Sequence, residues 1–399
     1  MNRRRSLSVF LCGLAATPGC RRQPDPSAAS GEPAVVPAPA PPPVKDPEGL
    51  GLVPVDIDPA FEIRTITGLR PFRPAGFMVR REERDGKILV HNYGHGGGGM
   101  TLSWGSSHLA TRQVESVSGV SCAVIGGGVM GLSTARLLQL RGAKVTLYTD
   151  QLPPETTSNV AGAQCWPVSV FDSSGRTPEF EAQYIEAAHF SFRYFQRLVS
   201  PRWGVRWGVR WIPNYYLGDR AQGSNWIDGP GGVLHDMQVG FKDFGPGEHI
   251  FPSTHARRFY TMMIEPSVYL PALLGEVQGA GAAIDIRRFA NAEEVLRLPE
   301  QVIFNCTGLG ARELFNDQEL IPIKGQLSIL MPQPQVNYNL ISGPFYMFPR
   351  ADGVVLGGTF NRNQWDLTPE DSVKKWVLEG QRAVFEQLRK NQQEFLAKK

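Results

Sequence analysis

The chain has 399 residues, and its 41 Lys and Arg against 38 Asp and Glu leave a formal net charge of +3. That length can bury a core large enough for two domains, and so balanced a charge offers no bulk field for nucleic acid, which is excluded as a partner. The cysteines Cys12, Cys20, Cys122, Cys165 and Cys306 contain no CxxC pair. The last three lie in or beside apolar runs and read as small core residues, so neither a disulfide framework nor a metal site is predicted.

Residues 1–20 read as an export signal. Arg3, Arg4 and Arg5 form a basic start, and residues 7–16 are an apolar run too short to cross a bilayer. Arg4-Arg5-Ser6-Leu7 is an imperfect twin-arginine match, and that route exports proteins already folded. Thr17-Pro18-Gly19-Cys20 offers a lipoprotein cleavage site, with Cys20 as the lipid-bearing tether to a membrane. Three placements stay open: a membrane-anchored lipoprotein, another export route to the periplasmic side, and an uncleaved cytoplasmic tail. Residues 21–50 are rich in Pro, Ala and Ser, cannot bury enough apolar surface to offset their ordering entropy, and read as a disordered linker.

The sequences GLRPFRP (68–74) and VHNYGHGGGGMTLSWG (90–105) come next. The glycines at 96–99 leave the backbone unshielded, so it can pass close to a ligand and aim its amides at one charge. A helix is predicted over 100–110, and His95 is read as fixing the loop rather than moving protons. A plain glycine linker is the alternative, against which Asn92, Tyr93 and Trp104 argue.

Residues 121–125 form a short apolar run and read as a buried strand. Gly126, Gly128 and Gly131 supply GxGxxG: the first for a tight turn, the second for approach of a pyrophosphate, the third for helix–strand packing. A helix over 129–141 aims its amides and dipole at the phosphates, and Gly142 stops it. A second strand follows at 144–148. Asp150 then stands at the spacing of a ribose-binding carboxylate, about 20 residues past the glycines. Strand, glycines, helix, strand and acid in this order indicate an adenine dinucleotide, without separating FAD from NAD.

RWGVRWGVRW (202–211) repeats with a period of four and also alternates apolar with basic residues; it is read as a half-buried strand. Residues 370–399 read as a helix with an apolar stripe of Trp376, Val377, Phe385 and Leu388.

Taken together, these motifs resemble the D-amino-acid oxidase family of FAD-dependent oxidoreductases. In that family the GxGxxG segment opens the chain and the GLRPxRP…HNYGHGG block closes it. The reversed order here reads as a circular permutation, joined through residues 111–119. The resemblance implies an α/β fold: a doubly wound, Rossmann-like FAD-binding domain interleaved with a mixed-sheet substrate domain. The FAD-binding parts would be about 85–167 and 265–325, and the substrate-domain parts about 55–84, 168–264 and 326–399.

PPETTSNVAGAQCWP (153–167) is similar to the family's flavin-binding stretch. It implies phosphate contacts from Thr156 and Thr157, and residues 160–163, including Ala161 and Gly162, beside the isoalloxazine. NCTGLGA (305–311) implies further contacts from Thr307 and Gly308, and AIDIRRF (283–289) implies that Phe289 meets the adenine. Gly96 and Gly97 would face the pyrimidine ring with Thr101 nearby, and the Gly97 amide would stabilise the charge of reduced flavin.

The family's carboxylate-binding arginine falls on Arg80 if two or three residues are inserted, with Arg70 as the fallback. Otherwise these arginines pair with acids such as Glu82 and Glu83. Tyr346 matches a substrate-binding tyrosine. Ser342 and Gly98 stand where the family carries pocket tyrosines, which implies a roomier pocket. The activity implied is FAD-dependent oxidation of a D-amino acid or similar small amine. The alternatives are oxidation of another amine or acid, as in glycine oxidases, or a non-catalytic flavin-binding lipoprotein.

Overall fold

The computed structural model describes residues 49–162, 164–199 and 204–397. The predicted export signal, Cys20, the linker before residue 49 and Ala163 lie outside these residues. Among the described residues no helix is long and apolar enough to cross a membrane.

The chain begins with strands β1 (Glu62–Phe72), β2 (Met78–Arg84) and β3 (Lys87–Tyr93), followed by helix α1 (Gly99–Arg112). Then come β4 (Ser121–Ile125), α2 (Val129–Leu140), β5 (Lys144–Thr149), α3 (Pro178–Leu198) and α4 (Gly204–Trp207). The middle holds β6 (Val209–Gly218), β7 (Val239–Phe244), β8 (His255–Ile264), α5 (Pro266–Gly279), β9 (Ala283–Ile286), α6 (Ala292–Leu296) and β10 (Val302–Asn305). Last are α7 (Ala311–Leu314), β11 (Ile321–Leu330), β12 (Asn339–Ser342), β13 (Phe345–Arg350), β14 (Gly353–Gly357), β15 (Asn361–Arg362) and α8 (Asp371–Ala397).

Two sheets result. The first runs β2-β3-β10-β4-β5-β9. Its members from β3 to β9 are parallel, and β2 is an antiparallel edge strand. Strands β10 and β4 are buried on both faces, as parallel strands covered by helices must be. On one side pack α2, α1 and α5. Gly142 ends the α2 segment at φ +82, where a residue without Cβ carries no steric penalty. Helix α3 is capped by Thr177, whose side chain accepts from the Phe180 amide, with Pro178 in its first turn. It lies against α1 because Gly105 is bare: a Cβ there would stand 1.9 Å from the Ala187 carbonyl oxygen.

The second sheet runs β1-β11-β14-β13-β12-β6-β8-β7, with β15 on β11. Its pairs are antiparallel except β12 with β6. Because side chains alternate across a strand, it has two different faces. Tyr215, Leu340, Met347 and Leu356 pack with Val377, Phe385 and Leu388 of α8. Ile212, Met263, Leu327, Ile329, Phe348 and Val355 face the other way, with Val160 and Tyr346 against them.

The predicted α/β architecture with mixed sheets is the one observed, and Cys122, Cys165 and Cys306 are buried and free. Several boundaries differ from expectation. Strand β2, read as substrate-domain, is the edge of the first sheet, held there by its hairpin to β3. Helix α3, also placed with the substrate part, packs on α1; Trp104 stacks on Tyr194 at 3.8 Å. Strand β11, which straddles the predicted boundary at 325, belongs wholly to the second sheet. In the described part of the repeat, 204–211, the expected single strand does not form: helix α4 covers Gly204–Trp207, and Gly208 at φ +60 breaks it from β6. Its period of four was the helical signal. In α8, Val377, Phe385 and Leu388 are buried, but Trp376 is 42% exposed and lies beside the Phe345 ring.

Candidate active site

Strands β3, β4, β5, β9 and β10 all point their C-terminal ends at one cavity of about 670 Å³. Each is followed at once by lining residues: Gly94 after β3, Gly126 after β4, Asp150 after β5, Arg287 after β9, Cys306 after β10. Ligands of open α/β sheets bind outside the carboxyl ends of the strands. The second sheet closes the cavity from the opposite side with Gly68, Arg70, Gly325, Leu327 and Tyr346.

The backbone around β4 is shaped for a close-lying ligand. Gly126 has φ +113, and a Cβ there would stand 2.4 Å from the Cys306 carbonyl oxygen. A Cβ on Gly131 would fall 1.8 Å from the Gly126 oxygen, so this glycine serves helix–strand contact and does not line the cavity. Gly128 and Val129 begin α2 at the cavity wall, and Gly99 and Met100 begin α1 there. Two helix N-termini therefore present amides and positive dipole ends to the same space, as a pyrophosphate requires. The Ser158 hydroxyl accepts from the Val129 amide at 3.0 Å and ties the 156–160 turn to that helix start.

Thirteen of the predicted residues share this wall: Gly96, Gly97, Gly126, Gly128, Asp150, Thr156, Thr157, Ala161, Gly162, Phe289, Thr307, Gly308 and Tyr346. Thr101 does not. It is buried beneath the wall, donating to the Gln164 carbonyl at 3.3 Å. Gly97 lines the cavity, but its amide is committed to the Ser169 carbonyl at 3.1 Å and is not free to meet a ligand charge. Gly98 and Ser342, expected to enlarge the pocket, do not reach it; a Cβ on Gly98 would meet Val170 at 2.6 Å instead.

Arg80 is not at the site. It stands on edge strand β2, with its side chain 60% exposed and paired with Glu82, while Arg81 pairs with Glu83. Gly76 turns the chain at φ +89 just before β2 starts at Met78. The cavity arginine on this side is Arg70. Its Nη2 lies 3.4 Å from the Tyr346 hydroxyl and its Nη1 donates to the Thr359 carbonyl at 3.4 Å. Arg73, the other arginine of that motif, is buried and spent on Asp317, Glu319 and the Gly76 carbonyl.

His95 lines the cavity but is bound within the loop. Its ring stacks on Phe77 at 4.7 Å, and Nε2 lies 2.6 Å from the Ser106 hydroxyl, which donates to Asn92. Burial pushes its pKa down to about 3, which keeps the ring neutral and suits a fixing role. Burial pushes the Cys306 thiol up to about 12, so it is no nucleophile. Sequence reasoning passed over Gln164, Arg287 and Arg288, which also line the wall. All three lie inside stretches quoted for the flavin, but nothing in their spacing marked their side chains.

Residues 121–397 match the family of FAD dependent oxidoreductases termed DAO. The chain belongs to this family: it is an FAD-dependent oxidoreductase. It is similar to the D-amino acid oxidase of Dugesia ryukyuensis, with 27% identity over 66% of this chain and 76% of that one. It is also 29% identical to the D-amino-acid oxidase of Rubrobacter xylanophilus, over 64% and 74%, and 27% identical to the D-aspartate oxidase of Homo sapiens, over 64% and 73%. Among solved structures, iminodiacetate oxidase from Chelativorans sp. BNC1 is similar with a TM-score of 0.49 and 16% identity, over 67% of this chain and 79% of that one. Residues 62–112 precede the family match, yet they supply strands to both sheets and part of the cavity wall.

The residues present fit FAD. Bare glycines leave a cradle against two helix starts, Asp150 lines it directly after β5, and Arg70 with Tyr346 lies at the second-sheet wall.

Proposed function

We propose that this enzyme oxidises a D-amino acid or similar small amine to the imino acid, which water then hydrolyses to the oxo acid and ammonia. The observation that carries the reading is the Arg70–Tyr346 pair on the cavity wall. Arginine is the side chain whose fixed fork of donors matches a carboxylate, and a tyrosine hydroxyl adds one more donor. Bound FAD supplies the two-electron acceptor that takes the substrate's α-hydrogen with its electron pair.

The protein's own part is positioning. Arg70 and Tyr346 would fix the carboxylate, and the segment containing Val160, Ala161 and Gly162, packed against Gly68, Tyr346 and Phe348, would flank it. Arg350 holds that segment: its buried guanidinium, tied to Asp352, donates to the Ala161 carbonyl at 2.9 Å. No side-chain base is needed if the amine binds neutral. If oxygen is the final acceptor, hydrogen peroxide is the second product.

The chain is a circular permutation of the family order in this reading. In its support, β1, β2, β3 and α1 complete both sheets from a position ahead of the family match, and the joint to β4 is short. Arg141 anchors that joint, donating to the carbonyls of Thr111, Val114 and Glu115. Residues 1–20 support export, with Cys20 as a membrane tether; fractionation of cells producing wild type and Cys20→Ser tests it. Steady-state turnover over paired D- and L-amino acids tests the activity: D-selective turnover is expected, and equal or absent turnover with every pair overturns it.

A further inference from the structure

We infer that Gln164 determines substrate specificity, accepting a hydrogen bond from an N–H or O–H on the substrate's side chain. The inference rests on the amino-acid reading of the site given above. Gln164 lines the same cavity as Arg70 and Tyr346. It stands two positions after Gly162, where a Cβ would lie 3.8 Å from the Tyr346 ring.

Its backbone cannot swing away. It forms a bridge to Met263 of β8, its carbonyl accepts from Thr101 at 3.3 Å, and the next amide, Cys165, donates to Met262 at 2.8 Å. Its side-chain amide is held equally firmly. Nε2 donates to Asn214 Oδ1 at 2.8 Å and points its second hydrogen at the Tyr216 hydroxyl, 3.4 Å away. Both donors of the carboxamide are thus consumed on β6, while among the described residues Oε1 accepts no hydrogen bond.

An acceptor with this little freedom is pre-organised for a donor on the ligand. The packing behind it is polar as well. Asn214 is fully buried, and its Nδ2 finds no acceptor among the described residues. Asn339, its register partner on β12, is fully buried with neither amide atom paired among them. A purely apolar side chain would leave the Gln164 oxygen desolvated and unmatched, which is where a polar site discriminates.

The test uses the FAD-loaded full chain and two carboxylates of nearly equal shape, succinamate and 4-oxopentanoate, which differ by NH2 against CH3. Binding is read from the perturbation of flavin absorbance, without turnover. Wild type should bind succinamate roughly three- to tenfold more tightly, the range of one neutral hydrogen bond. Gln164→Leu, and Gln164→Met should the first fail to fold, should bring the ratio to about one. In turnover, the preference for D-threonine over D-valine should fall in parallel. Equal binding of the two carboxylates by wild type, or an unchanged ratio in the variants, overturns the inference and leaves the carboxylate site standing. Failure of both to bind removes the carboxylate reading and this inference together.

Discussion

Arg70 of β1 and Tyr346 of β13 meet at 3.4 Å although β11 and β14 run between their strands. They can meet because the two intervening strands carry glycine where the side chains cross. A Cβ on Gly325 of β11 would lie 2.5 Å from Arg70 Nη1, and a Cβ on Gly357 of β14 would lie 2.1 Å from Tyr346 Cζ. The second-sheet wall of the cavity is therefore built by what two glycines omit as much as by what Arg70 and Tyr346 supply.

Arg70→Ala should raise KM for an amino acid about tenfold or more, since hydrogen bonds to a charged group contribute about 1.5–3 kcal/mol. Flavin content should stay at the wild-type level. Arg80→Ala, on an exposed edge with a surface ion pair, should leave KM unchanged and shift stability by less than about 0.5 kcal/mol. Steady-state kinetics on both variants checks the assignment, and a KM effect confined to Arg80→Ala would reverse it.

Gly357→Ala should displace the Tyr346 ring and lower kcat/KM, with a stability cost of about 1–3 kcal/mol from overpacking. The double variant Gly357→Ala with Tyr346→Leu, which relieves the contact, should regain stability and not activity. Thermal melts with kinetics on the same samples distinguish this from general loss of fold.

Much of the dinucleotide half was legible because its signals are local. Gly126, Gly128 and Gly131, the helix after them and Asp150 lie within one strand–helix–strand unit, and each lies where its spacing predicts. The second-sheet half depends on pairings distant in sequence. Arg70 faces Tyr346 only through the β1–β11–β14–β13 order, which no window of sequence displays. The family resemblance points to Arg80, yet Arg80 stands exposed on edge strand β2 and Arg70 of β1 lines the cavity. Gln164 lies within the flavin-like stretch, but the Asn214 and Tyr216 side chains that hold its carboxamide come about fifty residues further along.

Asp150→Ala should weaken FAD retention, because the residue follows β5 at the cavity wall. Occupancy by absorbance after dialysis should fall while secondary structure by circular dichroism does not change. Equal occupancy would remove Asp150 from the cofactor's ribose.

His95 gives the fold an acid-sensitive element. Its pKa falls from 6.5 to about 3 on folding through burial, so below pH 6.5 the unfolded chain binds a proton that the folded one refuses. That contribution is fully present above about pH 6.5 and is lost as pH falls toward 3, by up to about 1.4 kcal/mol per pH unit. His91, whose pKa is also lowered chiefly by burial, acts with the same sign. The melting temperature should fall from pH 7 to pH 5, and less steeply in His95→Gln. Parallel slopes would place the acid sensitivity elsewhere.

The most direct measurement is anaerobic mixing of the purified flavoprotein with single enantiomers of amino acids while the flavin band near 450 nm is followed. D-amino acids should bleach the band, and their L-forms should leave it intact. A protein whose bound flavin is bleached by dithionite but by no amino acid of either hand would contradict the account.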